Sequence, residues 1–211
     1  MNPWQAVFLD FDGVILETTG VKEEGYRRIF ADYPAVCGAM TAWLRDNVEQ
    51  SRFVKFRKLY ELLGEELTPA REAELIARYS ALTLAAVREA PFVTGAAEFL
   101  AGWHGAPLRV ISGTPQTELV ETIRARGLAG YFAAVYGAPP DKPAWFARLL
   151  PELGLDPARC VMVGDAPGDW RAAAGAGLQF IGRVPPGADN PFPATIPVIA
   201  DLRMLAAELE R

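Results

Sequence analysis

Residues 6–15 read AVFLDFDGVI, an apolar run that stops at Asp10, Asp12 and Gly13. Five more short apolar runs follow it: LRVIS at 108–112, AAVYG at 133–137, CVMVGD at 160–165, LQFIG at 178–182 and PVIA at 197–200. Most end in small or acidic residues and lead through a turn signal into helix-like sequence, such as TPQTELVETIRARG, KPAWFARLLPELG and DWRAAAGAG. Strands alternating with helices in this way predict an α/β fold built on a doubly wound, Rossmann-like parallel sheet.

One interval breaks the rhythm. Residues 17–90 carry long helical patterns without a convincing strand, which predicts an all-α insert in a core made of residues 1–16 and 91–211. In SRFVKFRKLYELLG, Phe53, Phe56, Tyr60 and Leu63 fall on one helical stripe. Thr68 and Pro69 read as the cap and first residue of the next helix. Pro91 and Gly95 bracket the return to the core, and the prolines at 185, 186, 191, 193 and 197 predict a loop before the last strand.

Composition narrows the function. The 211 residues are 51% hydrophobic and 22% charged, enough for a sizeable core. With Lys and Arg totalling 21 against 26 for Asp and Glu, a net charge of −5 argues against nucleic acid as the main partner. Cys37 and Cys160 form no CxxC pair and His104 is the single histidine, which leaves too few soft ligands for structural zinc. His104 reads as a surface residue, no GxSxG elbow could serve a Ser-His-Asp hydrolase, and no GxxxxGK[ST] loop is present. No apolar run of about 18 residues occurs, and Asp10 and Asp12 interrupt the N-terminal one, so the expectation is a soluble, cytoplasmic protein without membrane contact.

The chemistry concentrates where the apolar runs end. Asp10 and Asp12, two apart on a strand end, point to one side, and carboxylates about 4 Å apart repel by about 4 kcal/mol at an effective dielectric near 20. Alone, such a pair also suits a solvated strand end. The run at 160–165 ends likewise in Asp165, with Asp169 at the next helix start, where it also suits the helix dipole. In a parallel sheet these ends share one edge, and oxygen ligands arriving from two strands suit a hard divalent cation, magnesium above all. Ser112, Gly113 and Thr114 form either an anion-binding turn or an ordinary strand-to-helix turn, with Thr114 able to cap the helix begun by Pro115. Lys142 stands at a helix start, where the dipole disfavours a cation unless an anion is near; a surface lysine is the plainer alternative.

The order Asp-x-Asp, Ser, Lys, Gly-Asp-x-x-x-Asp is more specific than any part of it. On VFLDFDGVI, VIS, Lys142 and VGDAPGD, the chain resembles the haloacid dehalogenase superfamily, in its phosphoglycolate phosphatase and beta-phosphoglucomutase branch. The resemblance implies a magnesium-dependent phosphatase acting on a small phosphorylated metabolite, with a helical cap at 17–90 and a monomeric or homodimeric state. It makes Asp10 the nucleophile and Asp12 the general acid and base, with Ser112 and Lys142 holding phosphoryl oxygens. Asp10, Asp165 and the Asp12 carbonyl would ligate the metal, and Asp169 would support its shell. An acid at position 12 favours phosphate chemistry over dehalogenation. A phosphomutase would use the same motifs, and a phosphate-binding module without turnover is the reading from another class.

Substrate choice is expected to lie in the cap. Arg52 and Lys55 flank the apolar stripe and are candidates to meet a second anionic group of the substrate, the alternative being a solvated basic face. Trp4, Trp43, Trp103, Trp145 and Trp170 read as packing residues.

Overall fold

The computed structural model describes residues 3–47 and 50–210. The apolar runs form β1 (Ala6–Leu9), β2 (Leu108–Pro115), β3 (Ala134–Ala138), β4 (Cys160–Gly164), β5 (Gln179–Arg183) and β6 (Val198–Ile199). All pair in parallel, in the order β3-β2-β1-β4-β5-β6. From β1 the chain winds outward through β2 and β3, then crosses to β4 on the other side. The order therefore reverses between β1 and β4, and the connections leaving those strands diverge to open a crevice at the strand ends.

Alternation along β1 sorts the core. Val7 and Leu9 join a cluster with α5 (Ala96–Gly102), α6 (Gln116–Ala125) and α9 (Leu205–Leu209), while Ala6 and Phe8 pack with α7 (Lys142–Glu152) and α8 (Pro167–Gly175). Phe8 meets Phe146 edge-on, with ring centroids 5.2 Å apart. The described tryptophans are partly buried against these clusters or the helical one, as expected. His104 is exposed, Cys37 and Cys160 are free thiols, and the proline-rich stretch before β6 is a loop. Among the described residues no helix is long and apolar enough to cross a membrane.

Between β1 and α5 the described residues form four helices, α1 (Thr19–Phe30), α2 (Cys37–Arg45), α3 (Arg52–Leu63) and α4 (Pro69–Glu89). They bury their own cluster, which includes Tyr26, Phe30, Met40, Phe56, Leu59 and Tyr79. Thr68 caps α4 by accepting the Arg71 N–H at 3.3 Å, with Pro69 opening the helix as the sequence suggests. The α3 stripe is rotated from its expected setting: Phe56 and Tyr60 are buried, but Phe53 and Leu63 are only half-buried, and Leu59, Arg52 and Lys55 complete the inward face. The helix turns its two cations inward because tyrosine rings and an acid receive them there.

The α1–α4 contact depends on Gly25, where an added methyl would collide with the Thr83 side chain and press on Tyr79 at 3.1 Å. Gly25→Ala gains about 0.5–1 kcal/mol of backbone entropy and helix propensity. Overpacking at the site costs about 1–3 kcal/mol, so net destabilisation is expected in urea unfolding. Gly20→Ala on the same helix, where space is open, should stabilise; similar effects for both substitutions would refute the close-packing account.

Candidate active site

Asp10 follows β1 directly, and its N–H continues the ladder by bonding the Val163 carbonyl at 2.9 Å. One carboxylate oxygen accepts the Phe11 N–H at 2.7 Å; the other lies 3.1 Å from the Lys142 ammonium. Lys142 opens α7 behind the cap Asp141, which accepts the Ala144 N–H at 3.0 Å. Far from snorkelling to water, it is buried and bonds Asp169 as well. Asp169, wholly buried, turns its second oxygen to the Ala166 N–H at 3.3 Å, so it also serves the start of α8. The helix-start reading of Asp169 therefore holds, and the structure adds a contact the sequence did not suggest, the anchoring of Lys142.

Asp165 follows β4 and faces the loop after β1. Gly13 there has φ 75°, and a side chain at that position would collide with the Asp165 carboxylate. Glycine is required twice over, by conformation and by the close approach. Arg183, at the end of β5, donates to the Gly13 carbonyl at 3.3 Å and to both oxygens of Glu17 at 3.2 and 2.5 Å, pinning the loop.

Asp12 sits in a ring of hydroxyls. Its carboxylate accepts from Thr18 at 2.6 Å, Ser112 at 3.2 Å and Thr114 at 2.8 Å, and it pairs closely with Lys22. Lys22, from α1, donates also to Thr114 at 2.6 Å, tying the helical insert to the sheet edge. The expected cap role of Thr114 is not realised: β2 runs on to Pro115, α6 starts at Gln116, and the Thr114 hydroxyl is spent on Asp12 instead.

These surroundings split the two acids. Burial raises the Asp10 pKa to about 7; Lys142 opposes the rise, while Asp169 and Asp12 add to it. Burial acts the same way on Asp12, but the Lys22 charge and the hydrogen bonds from Lys22, Thr18 and Thr114 outweigh it and bring the pKa to about 2. Burial and repulsion by Asp10 and Asp169 push Asp165 well above the usual carboxylate range. Lys142 is raised: burial works against its charge, but Asp10 and Asp169 overcome it.

Above this floor lies a cavity of about 220 Å³, lined below by Asp10, Asp12, Ser112, Gly113, Thr114 and Asp165. Tyr26, Phe30, Arg52, Lys55 and Tyr79 line it from the insert. Arg52 and Lys55 are not a solvated basic face: they are 4% and 6% exposed, with Arg52 over the Tyr79 ring and Lys55 over the Tyr26 ring, each 4.6 Å from the centroid. The Arg52 guanidinium is held by Glu118 of α6, bidentately at 2.7 Å.

Asp10, Asp12, Ser112, Gly113, Thr114, Asp165, Arg52 and Lys55 thus line this crevice, and Lys142 and Asp169 lie directly behind it. Lys22, Thr18 and Glu118 were not singled out, because each reads locally as an ordinary polar helix or loop residue and only distant chain segments give it a partner.

A haloacid dehalogenase-like hydrolase family model matches residues 4–177. The chain belongs to that family. This haloacid dehalogenase-like hydrolase is 26% identical over 188 residues to the fructose-1-phosphate phosphatase YqaB of Escherichia coli (strain K12), covering 84% of this chain and 95% of that one. CbbY from Rhodobacter sphaeroides, solved in complex with phosphate, superposes with a TM-score of 0.76 at 20% identity, covering 99% of this chain and 100% of that one. The HAD-hydrolase YfnB from Bacillus subtilis, solved bound to magnesium, superposes with a TM-score of 0.68 at 18% identity over 99% of each chain.

The donor set of the hydrolase fits such an ion. Asp10, Asp165 and Asp169 bring carboxylate oxygens within 4.8 Å of one another. Fully ionised, the three carboxylates exceed the Lys142 ammonium by two negative charges, a state that burial and mutual repulsion resist in Asp10 and Asp165 and that a bound cation would favour; all the donors are hard oxygen atoms.

The raised Asp10 pKa has a measurable sign. Its proton is held more tightly in the folded chain than in the unfolded one, where the pKa is 3.8, so its contribution to stability is complete below 3.8 and is lost as pH rises through about 7. Asp12 acts oppositely, contributing above 3.8 and losing that contribution as pH falls through about 2. In chelator, Asp10→Asn should therefore raise Tm at pH 8, with the gain vanishing near pH 4; between the two limits the slope approaches about 1.4 kcal/mol per pH unit. Equal gains at both pH values would mean that ionisation is not the cost removed.

Proposed function

We propose that this chain is a magnesium-dependent phosphatase that hydrolyses a small phosphorylated metabolite through an aspartyl-phosphate. The observation that carries the reading is the meeting of Asp10, Asp12, Lys142 and Asp165 at one strand edge, with a hydroxyl-lined cradle beside them. Asp10 is the nucleophile: its carboxylate oxygen attacks phosphorus and the bond to the leaving oxygen breaks. Lys142 and Ser112 hold the equatorial phosphoryl oxygens, with the Gly113–Thr114 backbone beside them, and Asp169 fixes the direction of Lys142.

Asp12 gives its proton to the departing oxygen and later takes one from the water that cleaves the acyl phosphate. The carboxylate form that Lys22 stabilises suits the second task. For the first, Asp12 must take up a proton from solvent before transfer, which requires the substrate to loosen its contact with Lys22. Asp10, Asp165 and the Asp12 carbonyl would hold magnesium, with Asp169 behind them. When bound, the ion supplies charge neutralisation for the transferring group.

Residues 1–16 and 91–211 act as the catalytic body and residues 17–90 as a cap that excludes water during the first step. The name of the Escherichia coli relative, a fructose-1-phosphate phosphatase, supports a small phosphomonoester as substrate. A cytoplasmic setting, with Cys37 and Cys160 reduced, goes with this reading.

The test is hydrolysis of p-nitrophenyl phosphate with and without magnesium. Activity should disappear in chelator, and Asp10→Asn should lower kcat by about 1,000-fold or more, an expected loss of at least about 4 kcal/mol of transition-state stabilisation. Full activity in Asp10→Asn would remove the nucleophile assignment, and transfer of phosphate between sugar positions without release would make the enzyme a mutase.

A further inference from the structure

Arg52 lines the substrate cavity, but its charge is already spoken for. Its two terminal nitrogens each lie 2.7 Å from a different oxygen of Glu118, and one of them is also 2.7 Å from the Ser80 hydroxyl. The Ser80 hydroxyl in turn lies 2.7 Å from Glu118 and bonds the Ile76 carbonyl at 2.9 Å. The Tyr79 ring covers the flat face of the guanidinium, and the residue is 4% exposed. The groups come from three helices: Arg52 from α3, Ser80 from α4, and Glu118 from the first turn of α6, four residues beyond Thr114.

Glu118 takes one N–H from each terminal nitrogen and Ser80 faces one of those nitrogens as well, so of the five guanidinium donors only the Nε–H and one terminal N–H are left, and the positive charge is already balanced by Glu118. A substrate anion reaching Arg52 meets a cation that is already neutralised, with the Glu118 carboxylate, 19% exposed, beside it. It is either repelled by Glu118 or displaces it and leaves that carboxylate partly buried and unpaired, and both are costly in a low-dielectric site.

We propose that Glu118 is a specificity-determining residue: by claiming Arg52 it fastens the insert to the core and withholds this buried cation from the substrate, which favours phosphomonoesters whose leaving group is uncharged, such as polyol or sugar monophosphates. The inference rests on the phosphatase reading and adds its substrate class. It differs from the expectation that Arg52 meets a second substrate anion, because the chain supplies that anion itself.

A matched pair of substrates tests it. Glycerol 3-phosphate and 3-phosphoglycerate are close in size and differ in the carboxylate. The wild-type enzyme should favour glycerol 3-phosphate in kcat/KM by about tenfold or more. Glu118→Gln should shift the ratio toward 3-phosphoglycerate by about tenfold, and adding Arg52→Met to Glu118→Gln should erase the shift. An unchanged ratio in Glu118→Gln overturns the proposal, as does wild-type preference for 3-phosphoglycerate that Arg52→Met abolishes.

If the wild type hydrolyses no phosphomonoester, the phosphatase reading fails separately. The same comparison is then made by binding, as the Tm rise each compound gives with magnesium in wild type and Glu118→Gln. A Glu118→Gln-specific gain for 3-phosphoglycerate supports the proposal, and its absence overturns it. Should Glu118→Gln fold poorly, Glu118→Asp, which keeps the charge but shortens the reach, should show a smaller shift of the same sign; no shift overturns the proposal.

Discussion

Like charge crowded at one rim of a sheet is the constraint around which this molecule is arranged. Asp10 and Asp165 arrive from neighbouring strands, Asp12 follows two residues after the first, and Asp169 stands one turn behind the second. No fold gathers four carboxylates without compensation. Two lysines provide part of it from opposite directions: Lys142 rises from α7 beneath the sheet edge and Lys22 descends from α1 above it. What they leave over is an excess of negative charge among hard oxygen atoms, the environment a divalent cation completes.

The two lysines also divide the acids by role. Lys142 is shared between Asp10 and Asp169 and belongs to the rigid body of the protein, since both acids and the lysine are buried. Lys22 belongs to the helical insert, so the ionisation of Asp12 is linked to where that insert sits. Arg52 and Lys55 extend the logic outward. Each is buried beneath an aromatic ring, and Arg52 is paired with Glu118 besides, so the cavity roof holds these cations within the protein. The contact between insert and core is consequently polar and specific at its centre, the kind of surface that can part and re-form.

The sheet was legible because β1 to β5 are short apolar runs punctuated by glycine or acids, and buried parallel strands need that composition. The four acids, Ser112 and Lys142 were legible because strand ends and helix starts fix where a residue lies before any long-range contact is known. Lys22 was not, since VKEEGYRR reads as a solvated helix until the tertiary fold sets its ammonium against Asp12. The inward turn of Arg52 was hidden for the same reason: Glu118, 66 residues away, supplies its partner. Thr114 misled locally, because Ser, Thr and Pro at a strand-to-helix junction signal a cap only when no stronger acceptor competes for the hydroxyl.

The way into the helical insert and the way out of it are fastened to each other. The Glu17 N–H bonds the Pro91 carbonyl at 2.9 Å, the Val93 N–H bonds the Ile15 carbonyl at 3.0 Å, and Leu16 bridges Phe92, while Arg183 grips Glu17 from β5. Two independent tethers would let the insert swing and twist about many axes. Joined side by side, they would restrict any movement of the insert to a pivot about one line, beyond Glu17 and before Pro91. A rotation about that line would lift Lys22 and Arg52 away together and leave the backbone carrying Asp10, Asp12 and Gly13 in place, so the geometry of the reacting groups would not depend on the position of the insert.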